Sequence, residues 1–428
     1  MHKLSTIKIA IFLFWGIGFS EAGFSQKIPV NYDESLMPAY TLPDPLQLPN
    51  GKKVTSAAAW EKTNRPEILK LFAENVYGIN PFTGPVKITS EVKSVNENAL
   101  GGKAVSKQIT LRFPEISPTL SLNLLLYLPK NVRNAPVFVS LNFTGNHSTT
   151  HEKDILVTEI WVNTGFDRSF VNNRATETSR GIAERRWPYE AIIARGYAVA
   201  TAYYGDLEAD HAEGWKTGLR SVLTLEQREK WSAIGVWAWS MSRMADYLLQ
   251  NEPQIDKQKI IAVGHSRIGK ATLWAGAQDT RFATVISNDS GEGGAALSRR
   301  WIGETVEHLN TQFPHWFCAN YKKYNKVVAA LPVDQHELLA LIAPRPLYVA
   351  SATKDIWADP KGEFLSATEV GKVYLLYKKT GLGTQEMPLP NSSVGETVGY
   401  HIREGIHDIL LFDWEQYMNF TDRHFKIK

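Results

Sequence analysis

Ile260-Ile261-Ala262-Val263-Gly264-His265-Ser266-Arg267-Ile268-Gly269-Lys270 decides the fold. Its first four residues are apolar, as in a strand buried on both faces. From Lys270 the run Lys270-Ala271-Thr272-Leu273-Trp274-Ala275 has the composition of a helix. Between them stands G-x-S-x-x-G. Ile268 occupies the place of the second glycine of the commoner G-x-S-x-G turn, and Gly269 follows one residue later. Strand, sharp turn and helix form the context in which a serine hydroxyl is held at a strand tip, beside the positive end of a helix. Gly264 and Gly269 let the backbone pack closely around it. The competing reading is an ordinary Gly-Ser turn in an α/β protein.

Outward from this stretch, Ala135-Pro136-Val137-Phe138-Val139-Ser140-Leu141-Asn142 and Gly196-Tyr197-Ala198-Val199-Ala200-Thr201-Ala202 read as buried strands. Residues 284–287 and 346–352 read the same way, and 86–95, 107–113 and 121–128 are strand-like. Helices are predicted over 64–78, with Pro66 in the first turn and Gly78 as the stop, over Trp187 to Ala194, and over 223–250. In the last, Ile234, Trp237, Met241, Met244 and Leu248 are spaced 3, 4, 3 and 4 apart. Helices and strands thus alternate from about residue 135 to the end. That order predicts an α/β protein, a mostly parallel sheet with helices on both faces. Residues 148–186 are polar and irregular, and a loop of that length inside a domain is expected to be functional. Residues 26–56 read as an extended arm and 57–428 as the catalytic domain.

Composition bounds the rest. The 428 residues are 43% apolar and 21% charged, which describes a globular chain. A net charge of +3 offers no basic surface for nucleic acid. One cysteine, Cys318 in Trp316-Phe317-Cys318-Ala319, excludes an intramolecular disulfide and reads as packing. Lys3 and Lys8 precede an apolar run from Ile9 to Phe19 that is short for a membrane span. Small residues follow in Ser20-Glu21-Ala22 and Gly23-Phe24-Ser25. A signal peptide over 1–25 is expected, cleaved after Ala22 or Ser25, with export to the periplasm or beyond the cell and no stable membrane span.

A serine needs a base, usually histidine. Among the histidines after Ser266, His407 lies in Gly405-Ile406-His407-Asp408, a turn near the C-terminus between a short strand and a helix beginning near Trp414. His401 and His424 fall in a strand-like and a helical stretch and are expected to pack or face solvent. His336 is not in H-E-x-x-H, and His147 and His151 have no third ligand, so no metal and no cofactor is expected. Two carboxylates are placed to orient His407: Asp355, after the 346–352 strand, and Asp289, after the 284–287 strand. Glu292 and Asp359 are weaker rivals. The Arg267 N–H, its guanidinium, and a donor from the 142–146 loop are candidates to stabilise an oxyanion.

At these residues the sequence resembles the glucuronoyl esterases, carbohydrate esterase family 15, whose elbow has the form G-x-S-R-x-G-K, here Gly264 to Lys270. The resemblance continues through Ser290-Gly291-Glu292-Gly293-Gly294-Ala295-Ala296-Leu297-Ser298-Arg299-Arg300 and Phe313-Pro314-His315-Trp316-Phe317. It extends to Ala343-Pro344-Arg345-Pro346, Trp357-Ala358-Asp359-Pro360 and Gly405-Ile406-His407-Asp408, and so covers most of the chain from about residue 57. It implies an α/β-hydrolase fold, a three-layer α/β/α sandwich, and cleavage of esters between glucuronic acid on xylan and alcohols such as those of lignin. It implies Ser266 as nucleophile, His407 as base and Arg267 as oxyanion donor. It also implies sugar contacts from Lys270, Glu304 and Trp357, with Gln312 a weaker match. Family members often carry glutamate where Asp289 stands, which is one methylene shorter. Asp355 is narrowly preferred as the acid. The reading is therefore a serine esterase acting as a monomer on a uronic-acid-bearing polysaccharide or lignin–carbohydrate ester. The rivals are an acetylxylan or general carboxylesterase and a non-catalytic carbohydrate-binding protein.

Overall fold

The strands around Ser266 join one sheet of ten in the computed structural model, which describes residues 28–47 and 51–427. The signal peptide expected over 1–25 lies outside those residues. The strands are β1 (Thr89–Asn98), β2 (Ala104–Phe113), β3 (Ser117–Pro129), β4 (Ala135–Asn142), β5 (Ala198–Tyr203), β6 (Ile255–His265), β7 (Phe282–Asn288), β8 (Leu347–Ala352), β9 (Ser392–Gly395) and β10 (Val398–Arg403). Their spatial order is β1-β2-β3-β5-β4-β6-β7-β8-β10-β9. The five pairings from β5 through β4, β6, β7 and β8 to β10 are parallel. The flanks, β1 to β3 against β5 on one side and β9 on the other, are antiparallel.

The period-two rule sorts the apolar run of β6 onto two faces. Ile260 and Ala262 join Met241, Met244 and Ile268 in one core. Ile261 and Val263 join Ile192, Trp414 and Tyr417 in the other. Helices Ala233–Asn251 and Arg267–Gln278 cover the first face. Helices Tyr189–Ala194 and Leu411–Phe425 cover the second. This is the three-layer α/β/α sandwich.

The expected 223–250 helix is in fact two. Leu225–Glu229 is capped by Thr224, and Ala233–Asn251 is capped by Ser232, whose hydroxyl accepts from the Gly235 N–H at 3.0 Å. Trp231 between them bridges to Gly78, which diverts the chain for one turn. The helix expected over 64–78 begins earlier, at Ala57, because Ser56 caps it. Residues 148–186 carry only short 3₁₀ turns, and no helix among the described residues is long and apolar enough to cross a membrane.

Candidate active site

Ser266 follows directly on β6 with φ 57° and ψ −131°, a conformation costly for a residue with a Cβ. Its N–H donates to the Asn288 carbonyl at 2.9 Å, and its own carbonyl accepts from the Lys270 N–H at 3.2 Å. The serine is thereby tied to the neighbouring strand and to its helix. A Cβ on Gly264 would run into the Ile268 carbonyl, and one on Gly269 would lie 2.9 Å from the Ser290 Cβ. That explains the lengthened motif. Ile268 faces the core, fully buried, while Gly269 passes against the β7 corner.

His407 is delivered by the loop after β10, and Asp355 by the loop after β8. Asp355 Oδ2 lies 2.6 Å from His407 Nδ1; the carboxylate is buried and the imidazole is 40% exposed, open to solvent on its far side. The His407 ring sits 4.5 Å from that of His265, the residue before Ser266, so the histidine stands at the elbow. Asp289, with φ 45°, follows β7. One of its oxygens accepts from the Asp408 N–H at 3.3 Å, and the other has no partner. It makes no hydrogen bond to His407, although donor atoms of Asp289, Asp355 and His407 all lie within 4.8 Å of one another. Such spacing suits a cation, but the hydrogen bond to Asp355 occupies the imidazole Nδ1. Burial, then the carboxylates of Glu363, Asp355 and Asp413, push Asp289 above the usual carboxyl range, against the opposing charge of Arg403. Asp355 is thus the carboxylate in contact. The two weaker rivals are engaged elsewhere. Glu292 accepts from Ser298 and Tyr321, at 2.8 and 2.6 Å, and burial raises it to about 7. Asp359 caps the helix Pro360–Glu369 and pairs with Arg300 at 2.7 Å.

The Arg267 side chain is paired with Asp210, and its guanidinium carbon lies 4.7 to 5.9 Å from the ring centres of Trp316, Phe313, Phe143 and Phe166. Its Nε–H has no hydrogen-bond partner. Burial, the largest single influence, would lower the arginine, but the Asp210 charge, Tyr204 and the hydrogen bonds to both together hold the group above its usual value. Asp210 also accepts from Trp316 Nε1 at 2.6 Å and Tyr204 Oη at 3.0 Å, and meets His315 Nε2 at 2.8 Å. Although burial opposes it, Arg267 foremost, with His315 and Trp316, keeps the carboxyl well below its usual range. Sequence reasoning missed Asp210. Its only signal is position, in an acidic run after a parallel strand. In the 142–146 loop the Gly145 N–H is already bound to the Asn142 side chain at 2.8 Å, which removes one of the donors expected there.

Lys270, Glu304 and Trp357 form one string. Lys270 Nζ donates to the Ser290 carbonyl at 2.6 Å and to Glu304 at 2.9 Å, and Trp357 Nε1 donates to the other Glu304 oxygen at 3.0 Å. The lysine and glutamate are nearly buried and form an ion pair, and the half-exposed Trp357 is its outward end. Gln312 stands apart, exposed at the end of helix Val306–Gln312. Among the other histidines, His401 is buried between Tyr348 and Asp413, and His424 meets a backbone carbonyl. His147 and His151 bind different partners, Ser179 and Glu184.

A strained serine, a histidine oriented by a buried carboxylate, and a fixed guanidinium beside the serine are the parts of an acyl-transfer site. Comparisons with known proteins agree with that chemistry. Residues 189–379 match the family model "Glucuronyl esterase, fungi". The chain is 45% identical over 407 residues to a carbohydrate esterase from an unknown prokaryotic organism, covering 94% of this chain and 93% of that one. A promiscuous CE15 esterase from a marine bacterial metagenome superposes with a TM-score of 0.86 at 45% identity, covering 92% of this chain and all of the other. A glucuronoyl esterase from Solibacter usitatus does so with a TM-score of 0.85 at 46% identity, over 91% and 99% of the two chains.

Proposed function

The chain belongs to carbohydrate esterase family 15, the glucuronoyl esterases, and we propose that it hydrolyses esters of glucuronic acid through an acyl-enzyme on Ser266. The Ser266 hydroxyl attacks the uronate carbonyl, and its proton passes to His407. Asp355 holds the imidazole tautomer and stabilises the imidazolium. His407 then protonates the departing alcohol, and water, activated by the same histidine, releases the uronate. Arg267, through its backbone N–H and its charge, stabilises the tetrahedral oxyanion. One observation carries this reading: the histidine beside the strained serine is bound at Nδ1, 2.6 Å from a buried carboxylate.

Trp357 supplies a flat face suited to a sugar ring, and Glu304, held in place by Lys270, supplies acceptor oxygens beside it. They support a uronate on a polysaccharide as the acyl group, and an alcohol of lignin type as the leaving group. The expected export signal is in keeping with such a substrate, which is too large to enter a cell. The test is hydrolysis of benzyl glucuronate beside acetylated xylan, with Ser266→Ala as control. Preference for the glucuronate, lost in the variant, is expected. Preference for acetyl groups would select a general or acetylxylan esterase. Saccharide binding without turnover would discard the mechanism.

A further inference from the structure

A second concave site lies on the edge of the sheet that carries Ser266. Leu124 of β3 pairs with Ala202 of β5, so Asn123 comes level with Tyr203. Tyr203 pairs in turn with Asn142, the last residue of β4, on the side where β6 ends in His265. Here a cleft of about 340 Å³ opens over β2, β3 and β5, walled by residues 156–160. That volume is within the roughly 300–1,000 Å³ of small-molecule sites. From β6 to β3 is three strand spacings, about 14 Å. The loop that walls the cleft also reaches the catalytic arginine, where its Phe166 ring lies 5.9 Å from the Arg267 guanidinium.

Within the cleft the polar lining is hydroxyl, amide and one deep carboxylate, from Thr110, Ser121, Asn123, Asn146 and Asp206, while the charged Lys93 and Glu159 stand exposed at its rim. Asp206 is 5% exposed and accepts from the Asn123 N–H at 2.7 Å. Among the described residues no cation pairs with it, and burial raises it to about 7. A buried carboxyl without a counter-ion is costly unless hydroxyl or amide donors satisfy it. At the mouth, Leu156 and Ile160 are 63% and 37% exposed and offer apolar surface to the C–H face of a ring. A divalent cation would take six or more oxygens, several of them carboxylate. Among the described residues the grouping of three acidic or histidine ligands within metal reach is at Asp289, Asp355 and His407, not here.

We infer that this cleft is a subsite for a neutral pyranose unit of the polysaccharide, three strands from the esterified uronate. The inference rests on the function proposed above, and it adds a second point of grip on a long substrate. Asp206→Asn keeps an acceptor for the Asn123 N–H, and Asn123→Ala removes an exposed amide that also holds the Thr110 hydroxyl at 2.8 Å, so the two variants remove different groups of the cleft. Each should leave kcat/KM on benzyl glucuronate unchanged, because that ester is too short to reach the cleft. Each should raise KM roughly tenfold, with kcat held, on a glucuronoyl ester carried by a xylo-oligosaccharide. In a Ser266→Ala background, each should weaken xylohexaose binding in calorimetry. Unchanged KM on the long substrate together with unchanged xylohexaose binding would overturn the subsite, as would calcium binding at the cleft in place of saccharide. Failure of the parent enzyme on benzyl glucuronate, with xylohexaose binding still lost in both variants, would instead overturn the proposed function and leave the subsite standing.

Discussion

Asp355 and Asp289 are both within reach of one imidazole, and they differ in what each touches. Asp355 binds His407 Nδ1 at 2.6 Å, while Asp289 binds the next residue's backbone N–H at 3.3 Å and is pushed by burial above the usual carboxyl range. Asp355→Asn removes the charge that fixes the tautomer, and kcat should fall by roughly 10⁴. Asp289→Asn should cost far less, because Asp289 makes no hydrogen bond to His407 and an amide oxygen can still accept from the Asp408 N–H. Equal losses in steady-state assays would show a shared role. Asp210 acts through Arg267. Asp210→Asn leaves that guanidinium among four rings without its counter-charge, and kcat should fall roughly 10²- to 10³-fold with KM little changed. Asp210→Glu should recover part of the loss. A change in KM alone would mean that the arginine serves in substrate binding.

Among the elements, the strand–turn–helix unit around Ser266 was the most legible. An apolar run, two glycines and a helix-forming stretch all fall within a few residues, and each has a local physical cause. Gly264→Ala should therefore destabilise the fold by roughly 1–3 kcal/mol, read as a lowered thermal midpoint, because the added methyl meets the Ile268 backbone carbonyl as well as the Thr272 hydroxyl. An unchanged midpoint would mean that the turn can open. His407 and Asp355 were legible because each follows a strand of the parallel core. The break at Trp231 was not legible, because the apolar spacing of 223–250 continues across it and the cause is a distant partner, Gly78. Asp210 was hidden for the same reason. Its partners Arg267, His315 and Trp316 are far away in sequence, and only the fold brings them together. The residues proposed to meet the sugar were reached through resemblance, since nothing local to Lys270 or Glu304 announces the pair.

Over the whole molecule, buried ionisable groups set how stability follows pH. Six buried carboxyls are raised by desolvation: Asp206 and Glu292 to about 7, Glu337 and Glu363 to about 8, and Asp289 and Asp359 in the same direction. A raised carboxyl holds its proton in the folded state after the unfolded chain has lost it. The stability it contributes is complete below the unfolded pKa and is lost as pH rises through the folded value. The buried histidines act in the opposite sense. Desolvation lowers His147 to about 4 and also lowers His265, His336 and His401, so their contribution is present above the unfolded histidine value and is lost as pH falls. Below about pH 6.5 the two sets oppose each other, and above it the histidines are neutral in both states. From there to pH 8 the carboxyls act alone, so the thermal midpoint should decline from about pH 6.5 to pH 8. Glu363 gives the sharpest test, because it accepts from the Ser290 and Gly291 N–H groups at 2.8 and 3.0 Å and from the Ser351 hydroxyl at 2.6 Å. A glutamine keeps the acceptor for the two N–H groups and never ionises. Glu363→Gln should lessen the decline between pH 6.5 and 8 by up to about 1.4 kcal/mol per pH unit, measured by urea unfolding. A slope identical to that of the parent would show that Glu363 is ionised in the folded protein, with its charge carried by the three donors around it.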